Sequence, residues 1–446
     1  MSKNSIFRFT FAALVLASLP LRAAENQPRP IEAFVTEALS GNPELKFYEA
    51  EIAVARGERR TAGTWQNPEL SAELGHKRVE DLNGNKLGDG AVWSVSIAQT
   101  FEFPGRLALR KAIAGHQIAL AELGLEQFRA ALTKRVRLLA FKLLAAQERS
   151  DAARAVAQRF QDLLSVLVQR DPAGVAPLLE TRIIEASSLS LNRRAAESQR
   201  ELLNARFELN QLRGLPVSAP VAVKRTPLVL HPGPSPETLL ASARVRNFDI
   251  RARASELEQQ GFRVKLSEND RWPAITLKPY AAGERAGDQQ KEFGLGVSIP
   301  LPLWNRNQGN IEVTKARLTQ AEVSLNVAMR ETERRVAEAA HAYEVQIAGM
   351  AKWPADAAAR FSDAAQLADQ HYRLGAVPIS TYLELQKQYL DTVDTMLATQ
   401  LDAMEARQQI ELLAGKTLDG AVLPERTPEH HTQVSTSSKK TKRATR

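Results

Sequence analysis

QHYRLGAVPISTYLELQKQYL, residues 370–390, lies inside what otherwise reads as one long helix, and Leu374-Gly375-Ala376-Val377-Pro378 interrupts it. QRDPAGVAPLLETRIIEASSL, residues 169–189, breaks another long helix with the same Gly-x-x-Pro pattern, from Gly174 through Val175 to Pro177. Glycine supplies the left-handed backbone that follows a helix end, and proline starts a new helix well. Each stretch therefore reads as the turn of a helical hairpin. Gly174 and Pro177 fall 201 residues before Gly375 and Pro378, a spacing that asks whether the whole chain repeats.

It does. Asn42-Pro43-Glu44-Leu45 aligns with Asn247-Phe248-Asp249-Ile250 at an offset of 205, and Pro68 after Trp65 aligns with Pro273 after Trp272 at the same offset. Val95-Ser96-Ile97 matches Val297-Ser298-Ile299 at 202, and Leu212-Arg213-Gly214 matches Leu413-Ala414-Gly415 at 201. Landmarks that keep their order with so little drift mark a tandem duplication. The plan is a signal peptide over 1–24, a first repeat over 25–214, a Pro-rich linker over 215–236, a second repeat over 237–415 and a tail over 416–446.

Each repeat reads helix, two strands, long helix, turn, helix. In the first, residues 31–63 are helical, and period-two alternation then sets Leu70, Ala72 and Leu74 against Glu69, Ser71 and Glu73. The polar, Gly-rich run 79–90 reads as a turn region. The returning strand puts Trp93, Val95, Ile97, Phe101 and Phe103 on one side and small or polar residues on the other. In the second repeat Phe293, Leu295, Val297, Ile299, Leu301 and Leu303 alternate with Gly294, Gly296, Ser298, Pro300 and Pro302. The spacing predicts strands over about 68–78, 91–103, 274–285 and 292–303. A greasy face with aromatics near its ends is what a lipid-exposed β-barrel presents, and Leu70, Leu74, Trp93, Val95, Ile97, Phe101, Phe293, Leu295, Val297 and Ile299 are its candidates. Four strands are too few to close a barrel, and open edges are not tolerated in lipid. Copies of the same chain are the economical partner: two would supply eight strands, three would supply twelve.

The helices after the hairpins are long. Residues 107–170 make 64 residues, roughly 95 Å at about 1.5 Å per residue. Leu125, Phe128, Leu132, Val136, Leu139 and Leu143 step by three and four as in a coiled-coil seam, and Leu202, Ala205, Leu209 and Leu212 repeat this after the turn. The second long helix, over about 308–373, contains Trp353-Pro354, which should bend or loosen it.

Charge narrows the function. The net charge is +8, but residues 1–24 hold three basic residues and no acid, and residues 426–446 hold six against Glu429, which leaves the body neutral. That distribution argues against a nucleic-acid-binding body. The N-terminus, with a basic start, an apolar run from Phe9 to Leu19 and Ala23-Ala24, reads as an export signal. The chain has no cysteine, so it leaves the cytoplasm with neither disulfides nor an acyl anchor. No nucleophile–base constellation appears, which argues against an enzyme and against a cofactor. The histidines at 76, 116, 231, 341 and 371 are scattered, and His430-His431 sit in a tail that reads as disordered, so no metal site is assigned.

The duplicated plan, the Asn-Pro-x-Leu opening, Phe101-Glu102-Phe103-Pro104-Gly105-Arg106 before the first long helix and Pro300-Leu301-Pro302-Leu303-Trp304-Asn305-Arg306-Asn307-Gln308-Gly309 before the second resemble TolC-type outer-membrane efflux channels. So does Tyr372-x-x-Gly375 followed by Glu384-Leu385-Gln386, and the resemblance runs from about residue 30 to residue 416. It implies a mainly α fold with a membrane β-barrel: a homotrimer, twelve strands in the outer membrane, and an α-helical tunnel reaching into the periplasm. The implied job is an exit duct for small molecules or metal cations, fed by a periplasmic adaptor and an inner-membrane pump of the RND type.

By the same resemblance the two turns, with Gly174, Val175, Pro177, Gly375, Ala376 and Pro378, form the tip that docks the adaptor and closes the pore. Tyr372 is expected to bond Glu180 across the tip. Glu384 matches one acid of the constriction, Thr381 stands where another would be, and Val377 replaces an arginine, so the charged latch is reduced. Phe101–Arg106 leans toward the metal-cation branch of the family. The rival readings are a periplasmic coiled-coil adaptor, which has one hairpin and soluble β-domains, and a structural protein without a pore, which has no use for alternating strands.

Overall fold

A computed structural model describes residues 27–170, 175–225, 230–354 and 357–418. The signal peptide, Gly174 and the tail that carries His430-His431 lie outside the described residues.

The first repeat opens with α1 (Ile31–Gly41) and α2 (Glu44–Ala62), two helices where the alanine- and glutamate-rich pattern suggests one. Asn42 makes the break: its Oδ1 accepts from the Glu44 amide at 2.8 Å, and Pro43 follows it. The second repeat breaks in the same way between α5 (Pro236–Arg246) and α6 (Phe248–Asn269), where Asn247 caps the Asp249 and Ile250 amides at 3.0 and 3.2 Å. An asparagine cap satisfies amides that the new helix leaves without partners.

Each of these pairs leads into a hairpin. Strands β1 (Glu69–Glu80), β2 (Lys86–Phe101), β3 (Ile275–Arg285) and β4 (Gln289–Ser298) form one antiparallel sheet in the order β1-β2-β3-β4. The register places Leu70 opposite Ile97, Ala72 opposite Val95 and Leu74 opposite Trp93. It continues across the repeats with Val95 opposite Ala281 and Phe101 opposite Ile275, then Leu277 opposite Val297 and Ala281 opposite Phe293.

Two strand boundaries depart most from the sequence expectation. β2 starts at Lys86, not near 91, because Asp81 closes the turn by accepting from the Asn83 and Asn85 amides at 2.9 and 2.7 Å. Most of the polar run is therefore strand. Its glycines allow close backbone approach: a Cβ on Gly90 would stand 1.5 Å from the Arg285 carbonyl oxygen. β4 stops at Ser298, not near 303, since Pro300 and Pro302 have no amide to give the ladder. Ile299 consequently lies just beyond the strand.

α3 (Arg106–Arg170) follows β2 as 65 unbroken residues, and α4 (Val175–Leu212) returns along it. The seam packs as its spacing requires: Leu132, Val136, Leu139 and Leu143 are buried with Ala205, Leu209 and Leu212, and Leu125, Phe128 and Leu202 pack against them. In the second repeat the long helix is not continuous. α7 (Gln308–Met350) ends in a turn at Trp353, and α8 (Ala357–Arg373) begins beyond Pro354. Proline removes a helical hydrogen bond and clashes with the preceding turn, so the expected bend becomes a break. α9 (Ile379–Ala414) runs back alongside.

The linker is docked. Asn210 donates to the carbonyls of Val217 and Ala219, and the buried Tyr343 donates to the His231 carbonyl at 2.8 Å. The duplication also closes symmetrically, for Asn42 donates to Leu212 O and Asn247 to Leu413 O, both at 3.0 Å. Gly214 and Gly415, the residues that end these returning helices, have φ of 69° and 60°.

Candidate gate and membrane-facing sheet

Far from the sheet, α8 ends at the second of the two turns. The amide of Ala376 donates to His371 O at 2.8 Å and that of Gly375 to Tyr372 O at 2.9 Å, with Gly375 at φ 72°. This nested pair is the Schellman ending that glycine permits. Pro378 then precedes α9, and its carbonyl accepts from the Thr381 amide at 3.1 Å. Leu374, Gly375, Ala376 and Pro378 are all exposed. Of the first turn, Val175 and Pro177 fall in the opening turn of α4.

Tyr372 reaches across from α8 to α4 and donates its hydroxyl to Glu180 Oε2 at 3.1 Å. Burial, then the negative charge of Glu180, then this hydrogen bond push the phenol up to about 12. The ring lies flat on that of Tyr382, 5.3 Å away, and Tyr382 lies on Phe160 at 5.2 Å. A three-ring stack thus joins α3, α8 and α9 directly behind the Tyr372–Glu180 bond. Thr381 and Glu384 are exposed on α9, and Glu384 accepts from Gln388 at 2.7 Å. The structure therefore brings Tyr372 and Glu180 together and leaves Thr381 and Glu384 apart from that pair.

Sequence reading missed the residues that hold this pair in place. Tyr382 is fully buried, and burial raises its pKa, with the nearby Asp369 charge adding to the effect. Gln386, also buried, donates to the Ala365 carbonyl at 2.6 Å and accepts from Arg159 at 3.3 Å. The spacing Tyr382, Gln386, Leu390 runs along one helical face and is the signal that was there to read. Further along the helices Arg194 of α4 bridges Asp391 at 3.1 Å and also Asp394, while Arg149 of α3 meets Asp394 at 3.4 Å. Burial disfavours the Arg194 charge, and the Asp394 and Asp391 carboxylates more than offset it, holding the guanidinium above its ordinary value.

At the other end, the register collects the apolar strand residues on one sheet face. Leu70, Leu74 and Phe293 are 71%, 89% and 78% exposed, and Trp93, Val95, Ile97, Phe101, Leu295 and Val297 lie exposed beside them. The opposite face is polar: Lys77 pairs with Glu284 at 2.8 Å, and Tyr280 donates to Glu292 at 2.6 Å. Strands β1 and β4 are each paired on one side only. Trp65 packs edge-on to Phe101 and Trp272 stacks on Phe103, so aromatic pairs line the helical end of the sheet. There Arg106, the last residue of the Phe101–Arg106 motif, ties the repeats together through Asp270 at 2.9 Å and the Trp272 carbonyl at 2.8 Å. Among the described residues no helix is long and apolar enough to cross a membrane, and no cluster of three or more potential metal-binding side chains occurs.

The profile of the outer membrane efflux protein family matches residues 34–215 and 239–416, one copy of each repeat. The chain belongs to the outer membrane efflux protein family. Relatives of this efflux protein agree with that placement. The cobalt-zinc-cadmium resistance protein CzcC of Cupriavidus metallidurans is 26% identical over 286 residues, 64% of this chain and 65% of that protein, so the alignment spans just under two thirds of the relative. The crystal structure of CusC, described in terms of transmembrane channel formation, superposes with a TM-score of 0.69 at 19% identity, over 88% of this chain and 93% of that one. The CmeC outer membrane channel of Campylobacter jejuni gives 0.71 at 14% identity, over 93% and 94% of the two chains.

Proposed function

We propose that this outer membrane efflux protein is the passive exit duct of a tripartite efflux system, and that its cargo is divalent metal cations. Three copies close a twelve-strand barrel in the outer membrane, and their helices form a tunnel into the periplasm. The observation that carries this reading is the four-strand sheet with one apolar face and two open edges, mounted on helices of up to 65 residues. In lipid those edges must be paired, and identical chains pair them with no further component. The polar sheet face then lines the pore.

In this arrangement Tyr372 and Glu180 form a latch at the periplasmic tip, and Thr381 and Glu384 line the constriction. The two turns, with Gly174, Val175, Pro177, Gly375, Ala376 and Pro378, dock a periplasmic adaptor that hands over cargo from an inner-membrane pump of the RND type. The likeness to a cobalt-zinc-cadmium resistance protein supports metal cations, and the exposed Glu384 carboxylate favours cation passage electrostatically. The duct needs no ligating cluster of its own, because a passive path requires only weak, many-site attraction.

The test is resistance profiling of a deletion strain against cobalt, zinc, cadmium, dyes and antibiotics, with complementation. Selective loss of metal resistance, a heat-modifiable band in outer-membrane extracts and co-purification of an adaptor are expected. Sensitivity to organic compounds alone would overturn the cargo, and a soluble monomer would overturn the duct.

A further inference from the structure

Where α2 ends and α3 begins, Arg56, Arg59, Arg60, Lys111, Gly63 and Ile118 line an open pocket of about 610 Å³. Glu122 neutralises Arg56 at 3.0 Å, but the side chains of Arg59, Arg60 and Lys111 have no ion-pair partner among the described residues. Most arginines along the helices are paired, so three free cations converging on one pocket call for an anion. Local geometry maintains the convergence. Lys111 crosses the end of α2 beside Gly63, where a Cβ would lie 2.3 Å from its Cε, so a larger side chain there would move the lysine.

The position of the pocket identifies the anion. Arg60 precedes Trp65 by five residues, and Lys111 follows Arg106, the first residue of α3, by five. On α3 those five residues rise roughly 7.5 Å, about the depth of a headgroup layer, whereas α2 ends at Ala62 and Gly63 to Trp65 lie beyond it. Trp65 packs against Phe101 on the apolar sheet face, and such aromatic pairs mark the membrane–water boundary. The free cations therefore stand at phosphate depth beside the lipid-facing wall.

We propose that this pocket binds the phosphate of an anionic phospholipid headgroup in the leaflet nearest the helices, fixing the depth of the trimer in the membrane. The proposal rests on the barrel reading above. Its test is native mass spectrometry of the full-length trimer titrated with phosphatidylglycerol and with phosphatidylcholine, with planar-bilayer insertion of the same samples. Wild type is expected to retain phosphatidylglycerol preferentially, and Arg59→Gln/Arg60→Gln/Lys111→Gln to lose that preference by about tenfold or more, since each basic residue near an anionic surface adds roughly fivefold. Gly63→Leu, which displaces Lys111 without changing charge, should weaken it partially, and Arg59→Lys/Arg60→Lys should retain it. Equal retention of the two lipids by a wild type that inserts and conducts overturns this proposal alone. Failure of wild type to insert overturns the barrel reading and the proposal with it. Displacement of the lipid by millimolar inorganic phosphate would show a free-phosphate site and would also overturn it.

Discussion

Tyr372→Phe isolates the proposed latch. The substitution removes the hydroxyl that reaches Glu180 at 3.1 Å and leaves the ring on Tyr382, 5.3 Å away, so packing is unchanged. A hydrogen bond to a carboxylate is worth about 1.5–3 kcal/mol when well buried. This one is partly solvated, and about 1 kcal/mol per protomer is the reasonable figure. If the three protomers open independently, each latch shifts its own equilibrium about fivefold. If they open together the shift is about 3 kcal/mol, roughly 150-fold toward the open state. Single-channel recording in planar bilayers reads both, as conductance and open probability. Adding Glu180→Gln should change little further, because the two side chains act through one bond.

The latch also carries a pH signature. The Tyr372 phenol is pushed up to about 12, above its ordinary 10.0, so the neutral, donating form is favoured while the bond to Glu180 is made. The contribution is complete below pH 10 and disappears as pH rises through 12. Wild-type conductance should therefore climb over that interval, and Tyr372→Phe should not. Conductance unchanged by the substitution, in a trimer that remains intact, would refute the latch.

Other perturbations act on other parts of the duct. Asn247→Ala removes a cap worth about 1 kcal/mol and strands the buried Leu413 carbonyl for a further 1–2 kcal/mol or so, and Asn42→Ala does the same at Leu212; both should lower the temperature at which the trimer dissociates on a gel. Gly90→Ala forces a Cβ to within 1.5 Å of the Arg285 carbonyl and should abolish the heat-modifiable form, whereas Gly57→Ala, with open space around it, should leave assembly intact. Arg194→Ala frees Asp391 and leaves Asp394 to Arg149 alone, and should raise conductance at low salt, with the difference from wild type shrinking near 1 M salt, where the screening length is about 3 Å.

Much of this could be read from residues. The coiled-coil seam, the alternation of the strands and the paired asparagines have periods or offsets that survive in a single sequence, because each reports a local backbone geometry. Where reading fell short, composition hid geometry. The polar run before Gly90 reads as loop because glycine and asparagine dominate it, yet those glycines are what let β3 pass close to β2. Pro300 and Pro302 carry the apolar alternation past Ser298, but their missing amides end the ladder there. Tyr382 is a neutral aromatic among the acids near the turn and carries no charge signal, although Tyr382, Gln386 and Leu390 share one buried face.

By itself the sequence determined the duplication, the order of elements, the two turns and the apolar alternation of each strand. These follow from periods of two and three to four residues and from the limited backbone choices of glycine and proline. Tertiary structure alone decided that β2 pairs with β3 across the repeats, so that two separate hairpins make one sheet with a continuous apolar face. It alone decided that Tyr382 stands behind Tyr372, and that Arg59, Arg60 and Lys111 meet at one pocket. Those contacts join residues far apart in the chain, and nothing local in a sequence records which distant surfaces will bury one another.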